Sequence, residues 1–299
     1  MKPKVSVIIP TYNEKERVAK CIESLLSQSY PQDKIEIIVV DDGSTDGTSD
    51  FIKKNFPKVK LITKKNSGAY DSRNKGIAIA SGEIIALTDS DCIPSPKWVE
   101  KFVNILEKGE IKIVGGKIPH NKHAFIAKAI GISDFGGFQE NYKKNNVTCI
   151  PTCNLAAKKE IFEKFQFDSS LRIGGDRLFS WNLIERGYKL YYQPSVEVIH
   201  EPSLKFSSFL RRKYVYGKDF VLIRQMLDSL PWAKLIKLHI PGLIIISGAR
   251  FLLDSYRMFK YWKIYEIKPY EVLPLVVIFF IGRLVFLWGC FSQIMGIDS

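Results

Sequence analysis

The sequence predicts an α/β fold in which helices cover both faces of a mainly parallel central sheet. Short runs rich in β-branched residues recur at residues 5–9, 35–40, 59–63, 84–88 and 111–114. Between them lie stretches with apolar residues three and four positions apart, as in Val18, Cys21, Ile22 and Leu25. Continuous apolar strands that alternate with amphipathic helices are typical of a parallel sheet buried on both faces. The ligands of such sheets bind at the carboxyl ends of the strands.

The composition is that of a packed globular chain. The 299 residues are 46% hydrophobic and 25% charged, which excludes a wholly disordered chain. The five cysteines are scattered and none are spaced Cys-x-x-Cys, which argues against a disulfide framework or a zinc ribbon. Residues 1–14 contain no apolar stretch long enough for a secretory signal, so we expect the main soluble part to stay in the cytoplasm.

The net charge of +13 is concentrated in one part of the chain. Residues 201–270 contain thirteen Lys and Arg against five Asp and Glu. A basic chain can bind nucleic acid or an anionic membrane. Here the basic stretch leads into the most apolar part of the sequence, which favours membrane lipids as the partner. A nucleic-acid-binding protein is the alternative, but its positive charge would have to form a groove, so we expect no nucleic acid partner.

Three helical segments are predicted after residue 202. Residues 207–230 have the pattern of a basic amphipathic helix. Residues 238–253 are mostly apolar, and residues 272–290 contain a single charge, Arg283. The last segment is long enough to span a bilayer and the middle one is borderline; buried core helices are the alternative for both. Four basic residues lie between the two apolar segments, so the charge distribution favours one span plus an interfacial segment.

Polar and acidic residues follow the first two predicted strands. The sequence PTYNE occupies residues 10–14, and DDGSTDGT occupies residues 41–48. A carboxylate at the end of a strand can accept the N–H of a nucleobase, and an aromatic ring can stack on that base. The alternative for residues 41–48 is the start of a capped helix, since Ser, Thr and Asp are favoured caps. A cap does not require two adjacent acidic residues, so Asp41 and Asp42 favour the ligand-binding interpretation.

Two further motifs suit a phosphate-containing ligand. Residues 66–76 (NSGAYDSRNKG) place a glycine turn before a helix that carries Arg73 and Lys75 in its first turns. Helix N-termini and arginine attract phosphate, and a solvated basic face is the alternative. Asp89 and Asp91 follow the strand at 84–88 and are spaced to bind Mg²⁺ or Mn²⁺ from one side. Such an ion would keep its other positions for diphosphate oxygens and water.

The two remaining motifs lie further along the chain. Residues 174–176 (GGD) form a turn that presents Asp176 before a helix, where an N-cap is the alternative role. Two short strands are predicted at residues 189–192 and 196–200. His200 ends the second of them and is a candidate third metal ligand, although a lone histidine also serves structural roles. No G-x-G-x-x-G follows the first strand, which argues against a dehydrogenase.

In this order the motifs, together with CNLAAKK at residues 153–159, resemble the family 2 glycosyltransferases. The resemblance covers residues 4–202. It implies the Rossmann-like GT-A fold for a catalytic domain at residues 1–202, followed at 203–299 by the membrane-associated helices. It also implies metal-dependent, inverting transfer of a sugar from a nucleotide-diphospho-sugar, with a UDP-sugar favoured. The implied acceptor is a hydroxyl of a glycan or lipid-linked glycan, or alternatively a polyprenyl phosphate, at the cytoplasmic face of the cell membrane.

The resemblance also assigns roles to single residues. It implies that Asp176 is the general base and that Asp91 is the principal metal ligand, with Asp89 and His200 beside it. The donor-binding residues that it implies are Pro10, Thr11, Tyr12, Glu14, Asp42, Gly68, Arg73, Asp89 and Ser90. Gly175 departs from the pattern because many members have a glutamate there, so any role of that glutamate is absent from this chain.

Overall fold

The computed structural model describes residues 2–119, 124–135 and 147–297. Eight strands of these ranges form a single sheet. They are β1 (Val5–Thr11), β2 (Ile35–Asp41), β3 (Lys60–Thr63), β4 (Ile84–Leu87), β5 (Cys92–Pro94), β6 (Ile113–Lys117), β7 (Leu155–Lys158) and β8 (Tyr191–His200). Their order in the sheet is β3-β2-β1-β4-β7-β6-β8-β5.

Helices connect the strands and form most of the C-terminal part. They are α1 (Lys15–Leu26), α2 (Thr48–Asn55), α3 (Ala69–Ala78), α4 (Trp98–Leu106), α5 (Phe125–Phe135), α6 (Lys159–Lys164), α7 (Gly175–Glu185), α8 (Phe206–Met226), α9 (Ala233–Ile236), α10 (His239–Lys260) and α11 (Val272–Ile294). Short 3₁₀ turns occupy Gln32–Lys34, Thr152–Asn154 and Pro269–Glu271.

The first half of the sheet is parallel, as predicted. β1 pairs in parallel with β2 and β4, and β2 pairs in parallel with β3. Every residue of β1 and β4 is buried, which explains their continuous apolar sequences. The other half is mixed, since β7 is antiparallel to β4 and β6, and β5 is antiparallel to β8. β6 and β8 are parallel to each other, so four of the seven strand pairings among the described residues are parallel, and the prediction of a mainly parallel sheet is confirmed.

The mixed half also contains features that the sequence pattern did not predict. The two short strands expected at residues 189–192 and 196–200 are one ten-residue strand, β8. Its pairing with β6 continues across an irregularity between Gly116 and Lys117, so the prediction of two strands is wrong. β7 has the sequence LAAK, which contains no β-branched residue, and it is a strand because it lies between β4 and β6.

The described chain divides into two compact units. The first contains residues 2–119, 147–171 and 175–201, and therefore the whole sheet. The second contains residues 124–135, 172–174 and 202–297. The assignment of residues 1–202 and 203–299 to separate catalytic and membrane-associated domains stays a prediction.

The second unit is a helical assembly with charged groups in its interior. Its helices α8 and α11 meet at two glycines: a Cβ on Gly217 would lie 2.1 Å from the carbonyl oxygen of Phe286, and one on Gly289 would lie 2.1 Å from that of Tyr214. Among the described residues, one helical segment, Pro269–Ile294, is long and apolar enough to cross a membrane, and 39% of its most apolar stretch is buried within the protein.

Candidate active site

A cavity of about 260 Å³ opens at the carboxyl ends of β1, β2 and β4. Its lining residues come from the end of β1, from the loops that follow the three strands and from the first half of α3. They are Pro10, Thr11, Tyr12, Glu14, Asp42, Ala69, Arg73, Asp89, Ser90 and Asp91. All but Ala69 are candidate site residues identified from the sequence, and Ala69 directly follows the candidate Gly68. The carboxyl ends of neighbouring parallel strands meet at one edge of a sheet, which is why these residues converge.

Asp42 shapes one wall of the cavity. Its carboxylate accepts hydrogen bonds from the backbone N–H groups of Ser67 at 2.9 Å and Gly68 at 2.8 Å, and it forms an ion pair with Lys64. Gly68 adopts a φ of +104°, a conformation that favours glycine. The Lys64 side chain is only 6% exposed and also pairs with Asp71 at 3.0 Å. Lys64 is not among the residues predicted from the sequence, although it directly follows β3 and the rule that ligands bind at strand ends would have identified it.

Residues near Asp42 hold the start of α2 and the loops after β1 and β2 in place. Asp46 accepts the backbone N–H of Thr48, the first residue of α2, at 3.1 Å, but the N-cap of this helix is Gly47, so Asp46 supports the start of the helix without being its N-cap residue. Asn13 has a φ of +53° and accepts the backbone N–H of Thr45 at 2.7 Å, which ties the loop after β1 to the loop after β2. Tyr12 is 48% exposed, so its ring is available to stack on a ligand.

Arg73 is a buried cation at the floor of the site. Its side chain is 5% exposed and forms an ion pair with Asp89, and its guanidinium lies 5.2 Å from the ring centre of Tyr70. Burial acts to lower the pKa of Arg73, but the Asp89 carboxylate outweighs it and raises that pKa, so the guanidinium stays charged. The interpretation of this helix face as a solvated basic surface is therefore wrong for Arg73. It holds for Lys75, which is half exposed and pairs with Asp71 at 3.2 Å.

Asp91 and His200 contact each other at the edge of the cavity. His200 Nε2 lies 3.3 Å from Asp91 Oδ2, and the imidazole is buried. The antiparallel pairing of β5 with β8 sets this contact, because Cys92 lies opposite His200 and the backbone N–H of Glu201 donates to the Asp91 carbonyl at 2.8 Å. Two candidates that are far apart in the sequence are thereby neighbours.

Glu14 also lines the cavity and is held by Ser90 and Arg17. The Ser90 hydroxyl donates to one carboxylate oxygen of Glu14, and Arg17 pairs with the other at 2.9 Å. Burial, and then the negative charge of Asp91, raise the pKa of Glu14.

The donor groups at the cavity fit a divalent cation. In the described ranges no group of three or more His, Cys, Asp or Glu side chains could enclose a metal by itself. Lys64, Arg73 and Arg17 match the charges of Asp42, Asp89 and Glu14, whereas Asp91 contacts an imidazole. A carboxylate with an imidazole suits Mg²⁺ or Mn²⁺, provided that a bound ligand supplies further oxygens.

Asp176 does not line the cavity and is connected to it through Tyr70. The backbone N–H of Asp176 donates to the Tyr70 hydroxyl at 3.3 Å. The Tyr70 ring is buried, lies beneath Arg73 and stacks on Phe167 at 5.6 Å. Burial, and then the charge of Asp176, raise the pKa of Tyr70, so its hydroxyl stays protonated. Asp176 lies in the first turn of α7, which begins at Gly175.

The turn before Asp176 is held from within the second unit. One carboxylate oxygen of Asp219 accepts the backbone N–H groups of Arg172 at 2.8 Å and of Ile173 at 2.6 Å. Asp219 is buried on α8. Neither Tyr70 nor Asp219 is among the residues predicted from the sequence, because their importance depends on what they contact and no local sequence pattern marks them.

The family model and the relatives that the chain matches are all glycosyltransferases. The glycosyl transferase family 2 model matches residues 6–165. Over 235 residues the chain is 33% identical to glycosyltransferase AglE of Haloferax volcanii, with 76% of each chain covered. It is 28% identical over 283 residues to a Methanococcus voltae protein named dolichyl N-acetyl-alpha-D-glucosaminyl phosphate 3-beta-D-2,3-diacetamido-2,3-dideoxy-beta-D-glucuronosyltransferase, covering 85% of this chain and 87% of that protein.

A solved structure shares the fold over the whole chain. It is a mannosyltransferase from Pyrobaculum calidifontis in complex with GDP-Man and Mn²⁺. The TM-score is 0.66 at 17% sequence identity, and the alignment covers 100% of this chain and 89% of the mannosyltransferase.

Proposed function

The chain belongs to the family 2 glycosyltransferases, and from this premise we propose that it transfers a sugar, with inversion, from a nucleotide-diphospho-sugar to a hydroxyl of a lipid-linked glycan at the membrane. The observation that carries the proposal is the convergence of the Asp91–His200 contact, the Arg73–Asp89 pair and the exposed Tyr12 ring at one cavity. The Asp91–His200 contact suits a cation, the Arg73–Asp89 pair suits a diphosphate, and the Tyr12 ring suits a nucleobase.

The donor binds with its base beside Tyr12 and its diphosphate toward Arg73. Four carboxylates line the cavity, and the cations that pair with Asp42, Asp89 and Glu14 are engaged by those pairs, so a diphosphate entering alone meets repulsion from the carboxylates. Asp91, together with His200, would hold the divalent cation that offsets this charge. When bound, the cation supplies electrostatic stabilisation of the departing nucleoside diphosphate.

Asp176 acts on the acceptor. As general base it takes the proton of the acceptor hydroxyl while that oxygen attacks the anomeric carbon of the donor sugar. The bond between the anomeric carbon and the diphosphate oxygen breaks as the new glycosidic bond forms. A single displacement from the opposite face inverts the anomeric centre, as in one-step glycosidases.

The lipid-linked acceptor is supported by two observations. The segment Pro269–Ile294 is long and apolar enough to cross a membrane, and the Methanococcus voltae relative is named for a dolichyl-phosphate-linked sugar acceptor. A UDP-sugar remains the first donor to test, beside GDP-mannose, the donor in the Pyrobaculum calidifontis structure.

A transfer assay tests the proposal. Detergent-purified protein is incubated with Mn²⁺, radiolabelled nucleotide sugars and lipid extract, and the products are partitioned into organic solvent. We expect label in a lipid product from which mild acid releases an oligosaccharide. Release of the labelled monosaccharide alone would identify polyprenyl phosphate as the acceptor instead. The absence of a lipid product with every donor, from protein that is folded, would overturn the proposal. The Glu160→Gln variant, which alters an exposed ion pair with Lys112, is the control and should fold as well as the parent protein.

A further inference from the structure

Tyr70 contacts both a residue of the proposed donor site and the proposed base. It lies in the first turn of α3, three residues before Arg73, so the two side chains share one face of the helix. The Arg73 guanidinium lies 5.2 Å from the centre of the Tyr70 ring, within the range of a cation–π interaction. The Tyr70 hydroxyl accepts the backbone N–H of Asp176 at 3.3 Å. A single side chain therefore connects two parts of the site that are distant in the sequence.

An aromatic stack fixes the Tyr70 ring. The ring stacks on Phe167 with 5.6 Å between ring centres, and Phe167 stacks on Phe179 at 4.4 Å. Stacked rings at about these distances stabilise each other. Phe179 lies on α7, one helical turn after Asp176. The stack therefore extends from α3 to the helix that carries the proposed base.

Asn74 fastens the middle ring of this stack to α3. Its side-chain N–H donates to the Phe167 carbonyl at 2.8 Å, and its side-chain oxygen accepts the Phe167 backbone N–H at 3.1 Å. Asn74 directly follows Arg73 on the same helix. The place of the Tyr70 ring is thus defined by contacts that do not involve its hydroxyl.

Gly175 lets the hydroxyl reach the start of α7. A Cβ at this position would lie 2.7–2.9 Å from three atoms of the Tyr70 ring, so a residue with a side chain could not approach the ring as closely. The Asp176 N–H belongs to the first turn of α7, where N–H groups have no partner within the helix. The Tyr70 hydroxyl provides the missing acceptor.

The carboxylate of Asp176 follows the backbone that Tyr70 holds. Its Oδ1 accepts the backbone N–H of Arg177 at 2.8 Å, which ties the carboxylate to the start of α7. A general base must come within about 2.6–3.2 Å of the group that it deprotonates. A misplacement of about 1 Å can reduce the rate by about 10²-fold. Movement of the first turn of α7 would therefore move the base away from the acceptor hydroxyl.

We propose that Tyr70 is a positioning residue for sugar transfer: its ring supports Arg73 beside the donor diphosphate, and its hydroxyl holds the backbone of Asp176. The base is thereby fixed relative to the group that leaves. The inference rests on the proposed function, because it takes Asp176 as the base and Arg73 as a group that binds the diphosphate. Removing the hydroxyl alone should slow the catalytic step and spare donor binding, because the ring and its contact with Arg73 are kept.

Tyr70→Phe tests this role, with Tyr30→Phe as the matched control. Tyr30 is also buried, and its hydroxyl donates to the backbone carbonyl of Pro3 at 2.7 Å, at the end of β1 opposite the cavity. In the detergent-purified full chain we expect Tyr70→Phe to lower kcat by about 10–10²-fold and to leave KM for the nucleotide sugar within about twofold. Tyr30→Phe should keep both values. A parental kcat in Tyr70→Phe, or an equal fall in the two variants, would overturn the proposal.

A double variant shows whether Tyr70 acts through Asp176. In the Asp176→Asn background, Tyr70→Phe should change the residual kcat by less than about twofold, since the group that it positions no longer acts as a base. A full additional fall would show that Tyr70 acts by another route. Parental transfer by Asp176→Asn would overturn the base assignment and this inference with it. Impaired transfer by Asp176→Asn beside parental transfer by Tyr70→Phe would overturn this inference alone.

Amide hydrogen exchange gives a readout that does not depend on transfer activity. Peptides that cover residues 174–178 should exchange faster in Tyr70→Phe than in the parent protein, because the Asp176 N–H has lost its acceptor. In Tyr30→Phe the exchange of these peptides should be unchanged. Equal exchange in the parent protein and in Tyr70→Phe would show that the hydroxyl does not hold Asp176, whatever the activity of the variant.

Discussion

The ring of Tyr70 occupies the space into which a side chain at position 175 would project. A Cβ built on Gly175 would lie 2.7 Å from the ring, closer than real Cβ contacts allow. The same tyrosine accepts the backbone N–H of Asp176 through its hydroxyl. The glycine that departs from the pattern of the family is thus matched by an aromatic residue from α3, and the two form one contact beside the proposed base.

Replacing Gly175 should therefore displace Tyr70. We expect Gly175→Ala to lower stability by about 1–3 kcal/mol through overpacking, and to reduce sugar transfer. Adding Tyr70→Ala removes the clash, so the melting temperature of the double variant should exceed the value expected from adding the two single effects. Strict additivity of the melting temperatures would show that the two residues do not interact.

Replacing Asp176 should reduce sugar transfer without weakening nucleotide binding. Asp176→Asn keeps the shape of the side chain and removes its capacity as a base, so transfer should fall by about 10²–10⁴-fold. Binding of nucleotide with Mn²⁺, measured by calorimetry, should stay close to that of the parent protein because Asp176 does not line the cavity. Transfer at the parental rate would exclude Asp176 as the base.

Asp91 should control metal-dependent binding of the donor. A nucleotide present at a hundred times its dissociation constant stabilises the native state by about 2.7 kcal/mol. In Asp91→Asn we expect the rise in melting temperature produced by Mn²⁺ and nucleotide to be largely lost, whereas Glu160→Gln should retain it. An unchanged rise, or full activity of the parent protein in excess chelator, would contradict the assignment of a cation to this carboxylate.

Asp219 should position the turn that leads into Asp176. Asp219→Asn removes the charge that strengthens its two backbone hydrogen bonds, each of which is worth about 1.5–3 kcal/mol when charged. We expect kcat to fall while KM for the donor changes little. A purely structural role would instead lower the melting temperature and leave kcat per folded molecule unchanged.

Glu36 should make the stability of the first unit depend on pH. Burial opposes its charged form, but hydrogen bonds from Lys60, Ser6 and Ser81 outweigh burial and lower the pKa of Glu36 from 4.5 to about 2. The stabilisation is therefore present above the unfolded-state pKa and is lost as the pH falls from about 4.5 to 2. After allowance for solvent screening it amounts to about 2 kcal/mol.

The comparison variant for this pH effect is Glu36→Gln, which keeps the size of the side chain. Its urea midpoint should be lower than that of the parent protein at pH 7, and the difference should shrink as the pH approaches 2. A difference that is constant across this range would show that the carboxylate charge contributes nothing.

The sequence was informative wherever residues follow parallel strands directly. Tyr12, Asp42 and Asp89 come immediately or almost immediately after β1, β2 and β4, and the structure brings all three to one cavity. The strand-end rule is local, since it needs only an apolar run and the residues after it. The helices after residue 202 were predictable for the same reason, because each has a distinctive composition over some twenty residues.

The sequence by itself thus determined the fold class, the family and most residues of the cavity. Only the tertiary structure decided that His200 lies beside Asp91, that Tyr70 packs on Gly175 and that Arg283 pairs with Asp254. Each of these contacts joins elements that are distant in the chain, and none leaves a periodic signal in the sequence of either partner. Their free energy comes from packing and charge pairing in a buried interior, which exists only once the chain has folded.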